Sequence, residues 1–327
     1  MIDKRSIRLV YILATSHSGS TLLTMLLNAH PDVATIGELA PGGMGDPDTY
    51  RCSCGSLIRS CPFWTWLCEQ AERRGVPLDV SDLGTAFRMP ETRLGRRLLG
   101  PMHRGPLLES ARDTGLRLLT PWPRRFREIA NTNELVIQLC LRYRAATVFV
   151  DKGQSALRLK HLLAVPALDV RVLHVVRDGR AVALTYMDEA EYADAGDPSM
   201  RGGGRGTNRT ERRSMHEAAY EVRRSLEAAE HVLRRVQPSR QRRLRYEDLC
   251  VDPDATIAGV LEFIGLEPAA READFRSVEH HILGNGMRLD AGSQIRLDER
   301  WKTVLTPGDL QTFAAVAGRA NRAYGYV

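Results

Sequence analysis

The chain has 327 residues, and 43% of them are hydrophobic, which is enough to bury the core of one large domain or two ordinary ones. Its 46 basic and 40 acidic residues give a formal net charge of +6, which suits a polyanionic ligand but is too small an excess to indicate nucleic-acid binding. No apolar run approaches the ~20 residues of a membrane-spanning helix, and residues 16–20 interrupt the N-terminal apolar stretch, unlike a signal peptide. We therefore expect a globular, cytoplasmic protein without a membrane span.

The N-terminal segment predicts a strand, a loop of small residues and a helix. Residues 8–14 are almost all apolar and rich in β-formers, which is typical of a strand buried on both faces. The leucine-rich sequence after the loop favours a helix that ends at Pro31. The loop between them consists of Ser16, His17, Ser18, Gly19, Ser20 and Thr21.

This loop has the chemistry of an anion site. The first N–H groups of a helix have no partner within the helix, and the helix dipole adds positive charge, so phosphate or sulfate is favoured there. Gly19 lets a ligand approach the backbone, while Ser18, Ser20 and Thr21 offer hydroxyl donors. The lysine of the nucleotide triphosphatase motif is missing, which disfavours that class. An ordinary capped helix start remains the alternative.

A second short strand is predicted at residues 33–36, followed by Gly37 and Glu38. This places the Glu38 carboxylate at the end of a strand, where open α/β sheets bind their ligands. Residues 41–123 are irregular, with Gly, Pro and short helical patterns, and indicate a helical insert in the sheet protein.

The insert contains four of the six cysteines, and their spacing is not a double C-x-x-C zinc pattern. A structural zinc site and reduced thiols packed against the aromatic residues 63–66 are both open interpretations. A disulfide is less favoured in a reducing compartment. The four are Cys52, Cys54, Cys61 and Cys68.

Strands and helices alternate in the rest of the chain. A strand at 147–151 precedes Lys152 and a helix at 155–163, and a strand at 171–176, with a core histidine at His174, precedes a helix at 181–187. The pattern predicts an α/β fold with a central parallel sheet flanked by helices. The remaining predictions are helices at 124–142, 253–264 and 307–322, a strand at 243–246, and a mobile glycine-rich loop at 188–213.

A second anion-binding element follows the strand at 171–176. Arg177 stands where the strand ends, and Thr185 lies eight residues later in the following helix. A planar guanidinium and a hydroxyl group together can hold a phosphate. Two such elements on one sheet indicate a ligand with phosphate-type groups at both ends.

These motifs resemble those of the sulfotransferases that use 3′-phosphoadenosine 5′-phosphosulfate (PAPS). "SHSGSTLL" resembles their 5′-phosphosulfate loop, "RDGRAVALT" resembles their 3′-phosphate element, and "LRYEDLCVDP" and "RWK" follow in the family's order. The resemblance covers most of the chain outside the insert and the glycine-rich loop. It implies a single domain over residues 1–327 with the P-loop-like sulfotransferase fold, PAPS as sulfuryl donor, adenosine 3′,5′-bisphosphate (PAP) as product, and no required metal.

The resemblance also implies roles for individual residues. Lys152 matches the catalytic lysine of the protein-tyrosine branch and would meet the leaving phosphate, and Glu38 matches its general base, with Asp151 as a rival. His17 replaces the usual Lys or Arg, so it either donates to the sulfonate or acts as a base. The remaining donor contacts implied are Thr185 in place of a serine, Tyr246 beside the adenine, and Arg300 and Lys302 at the 3′-phosphate.

The acceptor is expected to be a hydroxyl group on a small molecule, a glycan or a peptide. The insert, with its aromatic residues 63–66, and the glycine-rich loop are expected to line its pocket. A sugar, a phenol, a peptide tyrosine and a lipid head group all fit this composition. A small-molecule kinase of related topology and a non-catalytic PAP-binding protein remain as alternative functions.

Overall fold

A fully parallel five-stranded sheet forms the centre of the structure, a computed structural model that describes residues 6–40, 46–89, 93–99, 106–192, 212–290 and 292–327. The strand order is β2-β3-β1-β4-β5, so the first strand lies in the middle. The predicted parallel sheet is confirmed. The strands are β1 (Ile7–Ala14), β2 (Val33–Thr35), β3 (Val148–Asp151), β4 (Leu168–Val176) and β5 (Gln241–Arg245).

The central strand β1 is buried on both faces. It pairs with β3 from Arg8↔Val148 to Tyr11↔Asp151, and with β4 along its whole length. Seven of its eight residues are buried, because helices cover both sides of the sheet. Alternate side chains of β1 enter two different apolar clusters, as the two-residue period of a strand requires.

The two faces carry different helices. In the sheet cluster on one side, residues of α5, α6 and α9 pack with those of the insert, and on the other side α1 and α11 pack together. The helices are α1 (Ser20–Asn28), α2 (Pro62–Glu72), α3 (Arg93–Leu98), α4 (Pro106–Leu119), α5 (Trp122–Arg144), α6 (Ala156–Leu162), α7 (Gly179–Met187), α8 (Glu189–Tyr192), α9 (Met215–Leu233), α10 (Tyr246–Val251), α11 (Pro253–Ile264), α12 (Trp301–Val304), α13 (Pro307–Val316) and α14 (Gly318–Ala323).

The structure differs from the sequence prediction in two of the helices, and one predicted loop cannot be compared. The helix expected at 307–322 is two helices, because Ala317 leaves the helical conformation with φ −120°. The 19-residue helix α9 was not predicted, although Ser214 and Glu217 form a capping box at its start. The centre of the glycine-rich loop, residues 193–211, lies outside the described residues.

Two smaller expectations can be checked against the fold. His174 is buried in β4 beside Tyr324, and burial lowers its pKa to about 4, so it is the core histidine that was predicted. Within the described ranges, none of the helices combines the length and the apolar character needed to cross a bilayer.

Candidate active site

The side chains singled out in the sequence follow the carboxyl ends of the strands. The anion loop follows β1, and Lys152 and Arg177 follow β3 and β4 directly. Glu38 comes three residues after β2, and Tyr246 comes directly after β5. Because all five strands are parallel, these groups share one edge of the sheet.

The anion loop brings the start of α1 and a buried hydroxyl group to this edge. Gly19 has φ 78°, a left-handed conformation, and immediately precedes α1. A Cβ atom at Gly19 would overlap the ring of Tyr246, so only glycine fits there. The Ser18 hydroxyl is buried and has no hydrogen-bond partner among the described residues. An anion at the start of α1 would supply the missing partner.

Lys152 is held between the anion loop and Glu38. Its side chain is only 1% exposed, and its Nζ atom lies 3.1 Å from Thr21 Oγ1 and 3.0 Å from Glu38 Oε1. The backbone N–H of Lys152 also donates to the Gly37 carbonyl at 2.7 Å, which fixes the two strand ends side by side. Glu38 keeps 25% of its side chain exposed. The cation is therefore buried, and its carboxylate partner faces the opening.

Asp151 stabilises the segments that carry Lys152 and Glu38. It is completely buried, with Oδ1 accepting from the Leu39 backbone N–H at 3.0 Å and Oδ2 accepting from Arg158 Nε at 3.0 Å. Both carboxylate oxygens are thus engaged with the protein. This arrangement holds the segment that carries Glu38 and makes Asp151 the weaker candidate for a base.

Arg177, at the end of β4, contacts several segments at the same edge of the sheet. Its Nη1 donates to the His17 carbonyl at 2.7 Å, and its Nη2 donates to Asp298 Oδ2 at 2.8 Å. The guanidinium carbon lies 4.3 Å from the ring centroid of Tyr246. The arginine therefore joins the anion loop, the end of β5 and the C-terminal segment.

Arg300 contacts the same carboxylate as Arg177. Arg300 Nε donates to Asp298 Oδ1 at 2.8 Å. Burial alone would raise the pKa of Asp298, but the hydrogen bond from Arg300 and the charge of Arg177 hold it well below its usual range. Two guanidinium groups thus share one carboxylate.

Lys302 and Thr185 make their hydrogen bonds to nearby residues rather than to Asp298. Lys302 is half-exposed on α12 and pairs with Glu299. Thr185 is buried within α7, where its hydroxyl donates to the Ala181 carbonyl at 3.3 Å. The structure therefore brings Arg300 to the carboxylate that Arg177 also contacts. The hydrogen bonds of Lys302 and Thr185 join residues three or four positions apart in the chain.

The loop residues before Ser18 face a different neighbour. The His17 ring lies 5.6 Å from the Tyr186 ring in an edge-on arrangement, with a backbone φ of 63° at His17. Ser16 Oγ donates to Gln154 Oε1 at 2.6 Å. Burial raises the pKa of Tyr186 to about 12, so it stays a neutral phenol. His17 thus packs against α7, and Ser16 contacts the segment after β3.

A cleft of about 370 Å³ opens beside Glu38 and Lys152. One wall is the start of the β3–α6 segment, and the opposite wall is a face of α9 with Glu221, Arg224 and Ser225. Ser225 Oγ also accepts from Thr15 Oγ1 at 3.2 Å, which ties α9 to the anion loop. The sequence prediction missed these α9 residues. The capping box at Ser214 was the signal that would have located the helix.

The aromatic residues of the insert do not line this cleft. Phe63 and Trp64 are buried in the core, and Phe63 stacks on His281 with a centroid distance of 4.6 Å. Trp66 packs against Tyr143. The expectation that these aromatics form the acceptor pocket is therefore wrong, because their apolar surface is used in packing.

Comparison with known proteins gives consistent results. A model of the sulfotransferase family matches residues 127–270. Carbohydrate sulfotransferase 5 of Mus musculus and carbohydrate sulfotransferase 6 of Homo sapiens are each 25% identical, over 97% of this chain and 80% of their own length.

Solved structures with some similarity include the sulfotransferase domain from the curacin biosynthetic pathway, with 16% identity, a TM-score of 0.48 and 99% of both chains covered. The sulfotransferase domain from the Synechococcus PCC 7002 olefin synthase has 16% identity and a TM-score of 0.43, over 99% of this chain and 97% of that one. The family match, the two curated relatives and the anion loop at the predicted place on the sheet together indicate a sulfotransferase that resembles the PAPS-dependent family.

Proposed function

We propose that this sulfotransferase transfers the sulfuryl group to a hydroxyl group of a carbohydrate. The observation that carries the proposal is the set of polar groups that stand among Ala and Leu side chains on the walls of the cleft beside Glu38 and Lys152. Hydroxyl, amide and charged groups on two facing walls suit a ligand with many hydroxyl groups, whereas a phenol or steroid pocket would need more aromatic surface. Two carbohydrate sulfotransferases among the relatives support the same acceptor class. Besides Glu38 and Lys152, the polar groups of the lining include Ser16, Gln154, Glu221, Arg224 and Ser225.

The donor would lie along the sheet edge from the anion loop to Arg177. PAPS supplies the activated sulfuryl group and a phosphate leaving group. The N–H groups at the start of α1 and the buried Ser18 hydroxyl fit its 5′ end, with Ser20 and Thr21 beside them. Arg177 and Arg300 fit a 3′-phosphate, and Tyr246 offers a ring for the adenine. Because these donors are N–H groups, hydroxyls and cations, we propose that nucleotide binding needs no Mg²⁺.

Glu38 and Lys152 are proposed to work as a coupled pair. Glu38 accepts the proton of the acceptor hydroxyl at its exposed carboxylate. Before that step, Glu38 partly cancels the charge of Lys152 at 3.0 Å. Once Glu38 is protonated, the Lys152 charge is no longer compensated and can stabilise the leaving phosphate oxygen. The positive field is then greatest in the transition state, as catalysis requires.

His17 is proposed to donate a hydrogen bond to the sulfonate. The imidazole belongs to the anion loop and packs edge-on against Tyr186, which lines the cleft. An imidazole can donate in its neutral or its charged form, so it can replace the usual lysine or arginine. A role as the base is the alternative if Glu38 proves dispensable.

The insert is proposed to brace the acceptor wall rather than to line it. Glu109 of α4 accepts from His231 Nε2 on α9 at 3.0 Å, and from Arg235 Nη2 at 3.0 Å. These contacts fix the C-terminal half of α9. We further propose that residues 1–327 act as one sulfotransferase domain and that the protein works in the cytoplasm.

A transfer assay with labelled PAPS tests the acceptor class. The panel should contain neutral and acidic oligosaccharides, simple phenols, tyrosine peptides and lipids with hydroxylated head groups. We expect label in the oligosaccharides, and we expect Arg224→Ala to change the ratio of rates between acidic and neutral sugars. Exposed Arg74 on the insert provides a matched control, since Arg74→Ala should leave the ratio unchanged. Label found only in phenols, peptides or lipids would refute the carbohydrate proposal.

A further inference from the structure

Four metal-ligand side chains meet at one point, where the insert contacts residues 279–284. Their ligand atoms all lie within 4.8 Å of one another. The Cys54 and Cys61 sulfurs are 3.6 Å apart, and His281 Nδ1 lies 3.4 Å from Cys61 Sγ and 3.7 Å from Cys52 Sγ. Zinc–sulfur bonds of ~2.3 Å in a tetrahedron place the sulfurs ~3.8 Å apart, close to the distances found here. We propose that Cys52, Cys54, Cys61 and His281 bind a structural Zn²⁺ ion.

A tight turn in the insert brings the cysteines together. The Cys52 N–H donates to the Ser56 carbonyl at 2.9 Å, and the Gly55 N–H donates to the Cys52 carbonyl at 2.9 Å. Gly55 has φ 88°, which lets the chain reverse directly after Cys54. Cys61 stands at the start of α2. The turn and the helix start therefore place three thiols on one side of the insert.

The histidine is oriented as in known zinc sites. Glu279 Oε1 lies 3.1 Å from His281 Nε2, while Nδ1 of the same ring faces the sulfurs. Phe63 stacks on this ring at an interplanar angle of 8°. A carboxylate on the far nitrogen fixes the tautomer and ring orientation of zinc-binding histidines. The cluster thus has the ligands that zinc requires and a carboxylate within 3.1 Å of the far nitrogen, although the two do not meet hydrogen-bond geometry here.

A disulfide is the competing use of these cysteines. A bond between Cys54 and Cys61 would need the sulfurs to approach to ~2.05 Å, and it would leave the buried Cys52 thiol and His281 without a common partner. A zinc ion uses all four groups. Four protein ligands also fill a tetrahedral site, which is typical of structural zinc and leaves no position for a substrate.

The metal would hold the insert against the catalytic pair. Ser53 Oγ accepts from the Ile282 N–H at 2.7 Å, and the Tyr50 hydroxyl accepts from the Gly284 N–H at 3.1 Å. Gly284 lies directly against Lys152 Nζ, where a Cβ atom would not fit. The zinc ligand at position 281 is therefore three residues from the wall behind Lys152. Cys68, the fourth cysteine of the sequence cluster, is not among these ligands.

Metal analysis of the full chain tests the proposal. The protein is produced in zinc-supplemented medium, purified under reducing conditions and analysed by elemental mass spectrometry. We expect about one zinc ion per chain. Exchange with Co²⁺ should give the visible absorption bands of a tetrahedral, thiolate-bound ion. A chain that contains no zinc and binds no Co²⁺, or one in which Cys54 and Cys61 form a disulfide, would overturn the proposal.

Matched variants locate the site. Cys54→Ser removes the exposed ligand and should abolish stoichiometric zinc and lower the melting temperature, whereas Cys68→Ser should keep the zinc. Glu279→Gln should weaken zinc affinity ~10–100-fold in competition with a chromophoric chelator. This second variant keeps all four ligands, so it decides the matter if Cys54→Ser does not fold. Zinc affinity equal to that of the wild type in Glu279→Gln and full zinc content in Cys54→Ser would each contradict the assignment.

Discussion

The Lys152–Glu38 and Arg177–Asp298 ion pairs lie at the same edge of the sheet and are built alike. In each pair the cation side chain is 1% exposed, while the carboxylate side chain keeps 25% exposure at Glu38 and 16% at Asp298. Each cation also contacts the anion loop, through Thr21 Oγ1 for Lys152 and the His17 carbonyl for Arg177. An anionic ligand can therefore approach either cation only by sharing it with a carboxylate.

The two pairs differ in charge balance. Lys152 and Glu38 sum to zero, whereas Asp298 is shared by Arg177 and Arg300, which leaves one positive charge. A permanent positive charge suits a group that only has to be held, such as a phosphate. A balanced pair suits a group that must act at one moment of the reaction. We infer that the β4 end of the edge binds and the β3 end reacts.

The largest effect on turnover is expected at the Lys152–Glu38 pair. Lys152→Ala removes a buried cation that contacts both the anion loop and Glu38, and we expect turnover to fall ~10³-fold. PAP affinity should change much less, because the charge is needed most as the leaving oxygen develops its own. Single-turnover kinetics and calorimetry measure the two quantities separately.

Lys160 provides a matched control for this prediction. Lys160 lies on α6, and its Nζ atom is 2.7 Å from the Asp113 carboxylate. It is also largely buried, but it lies outside the cleft lining. Lys160→Ala should lower stability while turnover of the folded protein stays near normal. Equal losses of turnover in the two variants would mean that Lys152 acts through stability alone.

Glu38→Gln is expected to lower turnover ~10²-fold. Glutamine keeps the size of the side chain and the carbonyl oxygen near Lys152 but cannot accept the acceptor's proton. PAP affinity should stay within a small factor, because Glu38 lies on the acceptor side of the lysine. The rate of sulfuryl transfer at saturating PAPS measures the effect. If turnover stays near normal, His17 becomes the leading base, and His17→Ala is the variant to compare.

Arg177→Ala should weaken PAP binding by ~2 kcal/mol, which is about 30-fold. The exposed pair of Arg240 and Asp169, near the amino ends of the strands, offers the control, since the Arg240 side chain is 47% exposed. Arg240→Ala should leave the affinity unchanged because surface pairs contribute little. Titration calorimetry in magnesium-free buffer measures both. Unchanged affinity in folded Arg177→Ala would place the 3′-phosphate elsewhere.

The parts of the fold with strong local patterns could be predicted from sequence. The apolar run at β1, the loop around Gly19 and the residues directly after β3 and β4 fixed the sheet edge, because a parallel sheet brings strand ends together. Helix α9 was missed because it follows directly after a glycine-rich, charged stretch. With it, one wall of the cleft was missed as well.

Contacts between residues far apart in the chain could not be predicted from the sequence either. Asp298 lies 121 positions from Arg177, and no local pattern connects them. His281 lies 220 positions from Cys61, so the sequence assigned Cys68, the nearer candidate, to the cysteine cluster. Both contacts depend on where the fold places residues 281–298 relative to the ends of the strands. No periodicity in the sequence indicates that position.

The smallest effect is expected at Asp298. Asp298→Asn keeps the shape and one acceptor oxygen but removes the negative charge that Arg177 and Arg300 share. We expect PAP affinity to rise by roughly 2–5-fold, because a phosphate no longer competes with a carboxylate for the guanidinium groups. Calorimetry at constant ionic strength measures the change. Weaker binding would show that Asp298 holds the two arginines in position rather than competing for them.

The same variant should alter stability in acid. The pKa of Asp298 in the folded chain is held below its usual range by the two arginines, although burial opposes this. A depressed carboxyl pKa contributes stability above the unfolded pKa of ~3.9, and that contribution is lost as the pH falls through the folded value. Below about pH 4 the wild type should therefore lose stability more steeply than Asp298→Asn, which has no proton to gain at this position. Urea unfolding at a series of pH values measures both slopes, and parallel slopes would mean that the arginines do not stabilise this carboxylate in solution.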